Sequence, residues 1–321
     1  MQKQEQNKSA ADAATQAARV VVVGSLNMDV VLSLGRVPEA GETVAAQSLS
    51  YLPGGKGGNQ AVACARHGAQ VTLFGSVGDD HHGESLLQGL RVDGVDVQHV
   101  SVHDGVPTGT AVIMVEPQGQ NRICVVAGAN ALLTLNQDSL RPVLAKSEYL
   151  VLQFETPHDI VHQAMLAAQA VGCKVVLNPS PVRDVPDDWW PLVHTLVVNE
   201  HEAAAFAAQP VHNLATARAA ALALLARGVK QVVVTLGSQG ALAVEVQGDS
   251  PEFSEHAARR VEVVDTTAAG DTFLGAMVTR LAQGSTLAQA VPWGIRAASL
   301  CIGKAGAQPS IPTRLQVEEI L

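Results

Sequence analysis

The residues best placed for chemistry stand in Val264-Asp265-Thr266-Thr267-Ala268-Ala269-Gly270-Asp271-Thr272-Phe273. A strand is expected over Arg260–Val264 and a helix over Thr272–Leu281, with small residues between them. Small residues let the backbone turn tightly and leave the first N–H groups of the new helix pointing outward. The Ala268, Ala269 and Gly270 amides would then form an anion hole for charge building on a transferring phosphoryl group. An acid at the mouth of such a hole repels phosphate. Asp271 makes sense there as the acceptor of a proton from an attacking hydroxyl. The plain alternative is that Asp271 only caps the helix.

Three further segments have the right residue types. Gly54-Gly55-Lys56-Gly57-Gly58-Asn59-Gln60 precedes a helix expected over Gln60–His67. No Ser or Thr follows Lys56 and the spacing is not GxGxxG, so this is neither a Walker loop nor a dinucleotide fingerprint. Dense glycine lets backbone press against a ligand, with Asn59 supplying a donor and an acceptor, or it is a flexible turn. Gly24-Ser25-Leu26-Asn27-Met28-Asp29 follows the first strand. Asn27 and Asp29 can reach a polyhydroxylated ligand from there, or act as turn residues. Asn199 and Glu202 stand three apart at a helix start, spaced to hold magnesium-bound waters or to form a capping box. His81-His82 and Trp189-Trp190 have no partner at catalytic or ligand spacing and read as structural.

Elements must position these residues. Apolar β-branched runs recur at Arg19–Val23, Val71–Ser76, Tyr149–Phe154, Lys174–Leu177, Thr195–Val198 and Gln231–Leu236. Helical patterns at Asn59–His67, Ile160–Val171 and Ala215–Arg227 lie between several of them. Continuous apolar strands alternating with helices predict an α/β fold with a doubly wound, mostly parallel sheet flanked by helices. Val30–Leu34, Thr43–Tyr51, Thr110–Glu116 and Arg122–Ala127 break that alternation, the last two around a Pro117-Gln118-Gly119-Gln120 turn. They are expected to form a small inserted sheet, a lid, at about 27–53 and 108–130. Residues 1–18 read as a flexible tail and 19–321 as one domain.

Composition removes several classes. The 321 residues are 47% hydrophobic and 16% charged, enough to bury a sizeable core. Lys and Arg number 21 against 30 Asp and Glu, a formal charge of -9, and aromatics are 3%. No basic footprint and no stacking platform for nucleic acid is present. Four separated cysteines (Cys64, Cys124, Cys173, Cys301) lack CxxC or zinc spacing and read as buried thiols in a reducing compartment. With no secretory, transit or membrane-spanning pattern, the chain is expected in the cytoplasm.

Taken together, these motifs resemble the ribokinase branch of the PfkB carbohydrate kinase family over residues 19–315. GGKGGNQAVA from Gly54 matches the family's first signature and Asp265–Phe273 its second. AGAN at Ala127–Asn130 and KAGAQPS at Lys304–Ser310 point to the ribokinase branch. Leu274 stands where Asn is frequent and Gly58 where Ala is usual, and either could tune the sugar pocket. The resemblance implies ATP-dependent phosphorylation of D-ribose at O5, with Asp271 as base. It implies that Asn27, Met28, Asp29, Gly55, Lys56, Gly57, Gly58, Asn59 and Glu155 bind the sugar. It assigns the nucleotide to Asn199, Thr235, Leu236, Gly237, Ser238, Gln239, Gly240, Gly270, Asp271 and Ile295. Glu202 would order magnesium through water. Asp265, Thr267, Cys301, Lys304, Gly306 and Ser310 would surround potassium, mostly through carbonyls, and the lid would pair two subunits.

Rival functions weigh less. A nucleoside acceptor would want an aromatic clamp, yet the lid segments carry only Tyr51. 2-Deoxyribose differs from ribose by one hydroxyl and stays open. A sugar phosphate would want a basic cluster, for which only Arg36, Lys56 and Arg122 are candidates. A catalytically silent sensor would not need Asp271 at an intact anion hole, and a nicotinamide dehydrogenase would need a GxGxxG turn where GSLNMD stands.

Overall fold

The computed structural model describes residues 18–117, 121–248 and 250–320. The expected tail up to residue 17 and the turn residues 118–120 lie outside the described residues. The first half of the chain forms β1 (Arg19–Val23), β2 (Asn27–Leu34), β3 (Ala46–Gly54), α1 (Lys56–Arg66), β4 (Gln70–Gly78), α2 (His81–Val92), β5 (Val95–His103), β6 (Gly109–Val115) and β7 (Asn121–Val126). Then come α3 (Gln137–Leu144), β8 (Tyr149–Gln153), α4 (His158–Val171), β9 (Lys174–Asn178), β10 (Thr195–Asn199), α5 (Glu200–Ala207) and α6 (Leu214–Ala226). The chain closes with β11 (Gln231–Thr235), β12 (Ala241–Gln247), β13 (Ser250–His256), α7 (Ala269–Ala282), α8 (Leu287–Cys301) and α9 (Arg314–Glu318).

Nine strands form one sheet in the order β13-β12-β11-β10-β9-β8-β1-β4-β5, parallel except for β12 and β13. Alternate side chains of its strands face opposite layers. Val21, Val23, Leu150, Leu152, Leu196, Val198, Val232 and Val234 pack with α3, α4 and α6. Val20, Val22, Val151, Val197 and Val233 pack with α1, α2, α7 and α8. Burial on both faces explains why these strands read as unbroken apolar runs. A second sheet, ordered β3-β2-β6-β7, stands apart as the broken alternation predicts. Among the described residues no helix is long and apolar enough to cross a membrane.

Some expectations need correction. Ala18, placed in the tail, is buried, and its carbonyl accepts Gln70 N at 2.7 Å. Arg260–Val264 is no strand. The segment pairs with no strand: Val264 N donates instead to Ile302 O at 2.8 Å, past the end of α8, while Arg260, Val261 and Val263 line a cavity wall. Cys64, Cys173 and Cys301 are buried, but Cys124 is exposed on the second sheet. Trp190 is buried in the core, and Trp189 stacks with His162 at 4.7 Å.

Candidate active site

The candidate residues cluster beyond the C-terminal ends of the parallel strands. The chain moves from β1 to β4 and β5 on one side, then fills the other side with β8 to β11, so a crevice opens between β1 and β8. Ser25, past β1, donates to Glu155 Oε2, past β8, at 2.6 Å.

The glycine run is not a loop. α1 starts at Lys56, four residues earlier than expected, with Gly55 at φ 83° as its N-cap. A Cβ on Gly57 would meet Gly24 C at 2.5 Å, and one on Gly58 would meet Gln308 Nε2 at 2.9 Å. Both glycines therefore serve close packing of α1 on the end of β1. The amides here are spent: Lys56 N donates to Glu155 Oε2, Gly57 N to Ser25 Oγ, Gly58 N to Ser25 O and Asn59 N to Gly55 O. The anion this turn meets is the Glu155 carboxylate. Gly58 faces protein and Leu274 lies in the apolar core, so neither departure from the family pattern touches the cleft.

α7 supplies the acid. Asp271 is 6% exposed, and both carboxylate oxygens are held from α1. Asn59 Nδ2 donates to Oδ2 at 3.0 Å and Gln60 Nε2 to Oδ1 at 2.8 Å. Gln60 is itself oriented by Gln153 Nε2, which donates to its Oε1 at 2.6 Å. Ala268 sits in the left-handed region (φ 58°) and turns the chain into α7. Ala269 N is spent on Thr266 O at 3.2 Å. Among the described residues no protein acceptor takes Ala268 N, Gly270 N or Asp271 N, so two of the three expected amides stay free and Asp271 N takes the place of Ala269 N. Lys56 faces the same cavity. Burial alone would lower its pKa, but the charges of Asp271, Glu155 and Glu202 outweigh it and keep the ammonium charged.

Asn27 and Asp29 are buried on one face of β2. Met28 points the other way into the core, because successive strand residues alternate, and so cannot touch a ligand with its side chain. The Asp29 pKa is raised to about 7, first by burial and then by the charges of Glu155 and Asp271. The Glu155 and Asp271 charges thus lie close enough to Asp29 to oppose its ionisation.

Two contiguous cavities lead away from Asp271. One, about 250 Å³, is lined by Lys56, Asn178, Asn199, Glu202, Gly270 and Asp271, among others. The next, about 640 Å³, is walled by Thr235, Gly237, Ser238, Gly240 and Ile295, with Ala258 to Val261 and Val263 opposite. Of the expected nucleotide residues, Leu236 is instead core and Gln239 is exposed, donating to His212 O at 3.3 Å. Asn199 and Glu202 do form the capping box, with bonds of 2.8 and 3.0 Å, and both also line the smaller cavity.

Asp265 ties two loops. Its Oδ1 accepts from Thr267 N and Oγ1 at 2.9 and 2.6 Å, and its Oδ2 from Gly306 N at 2.9 Å. Burial raises its pKa, but these bonds outweigh that and hold it below the usual range. Cys301 Sγ lies 3.0 Å from Ser310 Oγ, which donates to Ala307 O at 2.7 Å. Lys304 is exposed. Sequence reasoning missed Gln60, Gln153, Asn178 and Asn130. A glutamine inside the apolar run Tyr149–Phe154 was the available signal, since a buried polar group needs a partner.

A sequence profile of pfkB family carbohydrate kinases matches residues 17–314. The ribokinase of Schizosaccharomyces pombe is 38% identical over 309 residues, covering 93% of this chain and 96% of its own. That of Bacillus subtilis is 36% identical over 310 residues, covering 94% and 99%. The structure of Arabidopsis thaliana ribokinase complexed with ribose and ATP superposes with a TM-score of 0.88 at 33% identity, covering 95% of this chain and 99% of that one.

Proposed function

Because this chain belongs to the pfkB family of carbohydrate kinases, we propose that it transfers the γ-phosphoryl group of ATP to O5 of D-ribose, giving D-ribose 5-phosphate and ADP. The observation that carries the reading is Asp271, a carboxylate locked by Asn59 and Gln60 beside unpartnered amides on the wall of the smaller cavity. Ribose lies under the second sheet against Asn27, Asp29, Asn59 and Glu155. Adenosine fills the 640 Å³ cavity, and the phosphates run through the smaller one.

Asp271 takes the proton of the attacking hydroxyl. The Gly270 and Asp271 amides and the Lys56 ammonium meet the charge that develops on the phosphoryl oxygens. Magnesium, when bound, neutralises phosphate oxygens. Among the described residues no three His, Cys, Asp or Glu side chains gather to hold a metal. Glu202 therefore suits an ion that keeps its waters and shares phosphate oxygens. Potassium fits the carbonyls of the loops that Asp265 joins, with Asp265 supplying charge and scaffold. We place the enzyme in the cytoplasm.

The β2 face carrying Asp29 continues through Val31, Ile113, Ile123 and Val125, the last two exposed. An uncovered apolar face of this kind suits a second copy, and a monomer in sedimentation at micromolar concentration would remove that pairing. The activity is tested by ADP release from magnesium ATP across pentoses, 2-deoxyribose, hexoses and nucleosides, in potassium and in sodium at equal ionic strength. Ribose should lead the panel and potassium should raise turnover severalfold. No ribose-dependent ADP release would overturn the reading, and equal rates in both salts would remove the potassium site.

A further inference from the structure

Asn130, just past β7, is 1% exposed and spends its whole side chain inside the fold. Its Oδ1 accepts from Leu26 N at 2.9 Å, and its Nδ2 donates to Leu26 O at 3.0 Å and to Asn27 Oδ1 at 2.8 Å. Two of these partners are backbone groups, whose donor and acceptor characters cannot be exchanged. Asn130 therefore has one orientation, since reversal would set carbonyl against carbonyl and N–H against N–H.

That orientation dictates the next one. With Nδ2 of Asn130 facing it, Asn27 must answer with Oδ1, and its own Nδ2 turns away. Among the described residues no protein acceptor takes Asn27 Nδ2. Gly109 makes the amide pair possible, because a Cβ there would collide with both Asn130 Nδ2 and Asn27 Oδ1. Asp29, two residues along the same face of β2, receives no side-chain or backbone donor among the described residues either. The face thus offers N–H donors from Asn27 beside carboxylate acceptors from Asp29. A hydroxyl group both donates and accepts. Neighbouring sugar hydroxyls can therefore be held in one sense only, one accepting from Asn27 and the other donating to Asp29.

We propose that Asn130 is a positioning residue for the sugar, fixing Asn27 as an obligate hydrogen-bond donor to a sugar hydroxyl oxygen. The inference rests on the ribose-kinase reading. The rival is that Asn130 merely anchors the second sheet to the end of β1.

A double-mutant cycle separates the two. Asn130→Ala should raise the ribose KM about ten-fold, with the ATP KM within about two-fold of wild type. In an Asn27→Ala background the same substitution should do nothing further to the ribose KM. Asn130→Asp, equal in volume, turns the donor into an acceptor, and Asn27 then swings its Nδ2 inward. It should raise the ribose KM at least as far, and again be silent without Asn27. Equal factors in both backgrounds, or an equal rise in the ATP KM, would overturn the proposal. If neither variant folds, the wild-type protein decides. The Asn27 side-chain N–H₂ resonances, identified by their loss in Asn27→Ala, should shift on ribose addition, and unmoved resonances during turnover would overturn it. A wild-type enzyme without ribose-dependent ADP release would overturn the ribose reading and this inference together. An active enzyme with an additive cycle overturns the positioning role alone.

Discussion

Asp271 meets the demands on a base through its neighbours. Asn59 and Gln60 each occupy one lone pair on a different oxygen, so the carboxylate cannot rotate, yet it keeps capacity for a hydroxyl proton. Asp271→Asn keeps size and fold while removing that acceptor. Turnover should fall by roughly 10²–10⁴ with ATP binding retained, measured by steady-state rates and nucleotide titration. Near wild-type turnover would reduce Asp271 to a helix residue. Asp29 gives a pH signature. Burial, then the charges of Glu155 and Asp271, raise its pKa to about 7. Below that pH a proton occupies an acceptor oxygen in the free enzyme, so kcat/KM for ribose should rise as pH climbs through about 7. Glu155→Gln removes one raising charge and should move the midpoint to lower pH. A midpoint that stays put would show that Asp29 is not the titrating group.

Elements hold these residues in register through small side chains. α1 and α7 approach so closely that a Cβ on Gly275 would lie 2.5 Å from Ala63 Cβ and 2.9 Å from Gln60 O. Gly275→Ala must push the helices apart about one turn from the Gln60–Asp271 bond. Overpacking of this kind costs roughly 1–3 kcal/mol, so the thermal midpoint should fall together with kcat. Unchanged kcat at a lowered midpoint would show that the α1–α7 spacing does not set the base. The potassium response belongs to this scale too, since Asp265 holds two loops by three bonds. Asp265→Ala should abolish any difference between potassium and sodium, and a retained difference would place the ion elsewhere.

The whole molecule carries its own pH dependence, away from the site. His67 is 1% exposed, accepts Trp293 Nε1 at its Nδ1 at 3.0 Å, and its pKa falls from 6.5 to about 4. Burial is the main cause, with the Arg280 and Arg314 charges adding to it. Between those values the unfolded chain takes up the proton and the folded chain refuses it. Stability is therefore full above pH 6.5 and lost as pH falls toward 4, by about 3 kcal/mol from this group. Urea midpoints at pH 7.5 and 5 measure the loss, and His67→Gln should shrink it. An equal loss in the variant would assign the effect to other groups.

What could be read from the residues alone is what short-range geometry decides. Val20 to Val23 and Val232 to Val234 announce strands buried on both faces, because side chains alternate with period two. The four strands without intervening helices announce a second sheet, and an acid following small residues at a helix start announces a base beside an anion hole. The family resemblance supplied the roles of most other residues. Where it erred, the answer lay in the third dimension. Met28 and Leu236 turn their side chains into the core, and Gly57 and Gly58 let α1 pack closely. The strand read from the pattern at Arg260–Val264 lines a cavity instead of joining a sheet. The bonds that orient the site join residues 93, 103, 211 and 212 positions apart: Gln153 to Gln60, Asn130 to Asn27, Gln60 to Asp271 and Asn59 to Asp271. No local spacing encodes such partners. They exist only once burial has brought α1, α7 and the strand ends together, where a buried amide must find its partners within the fold.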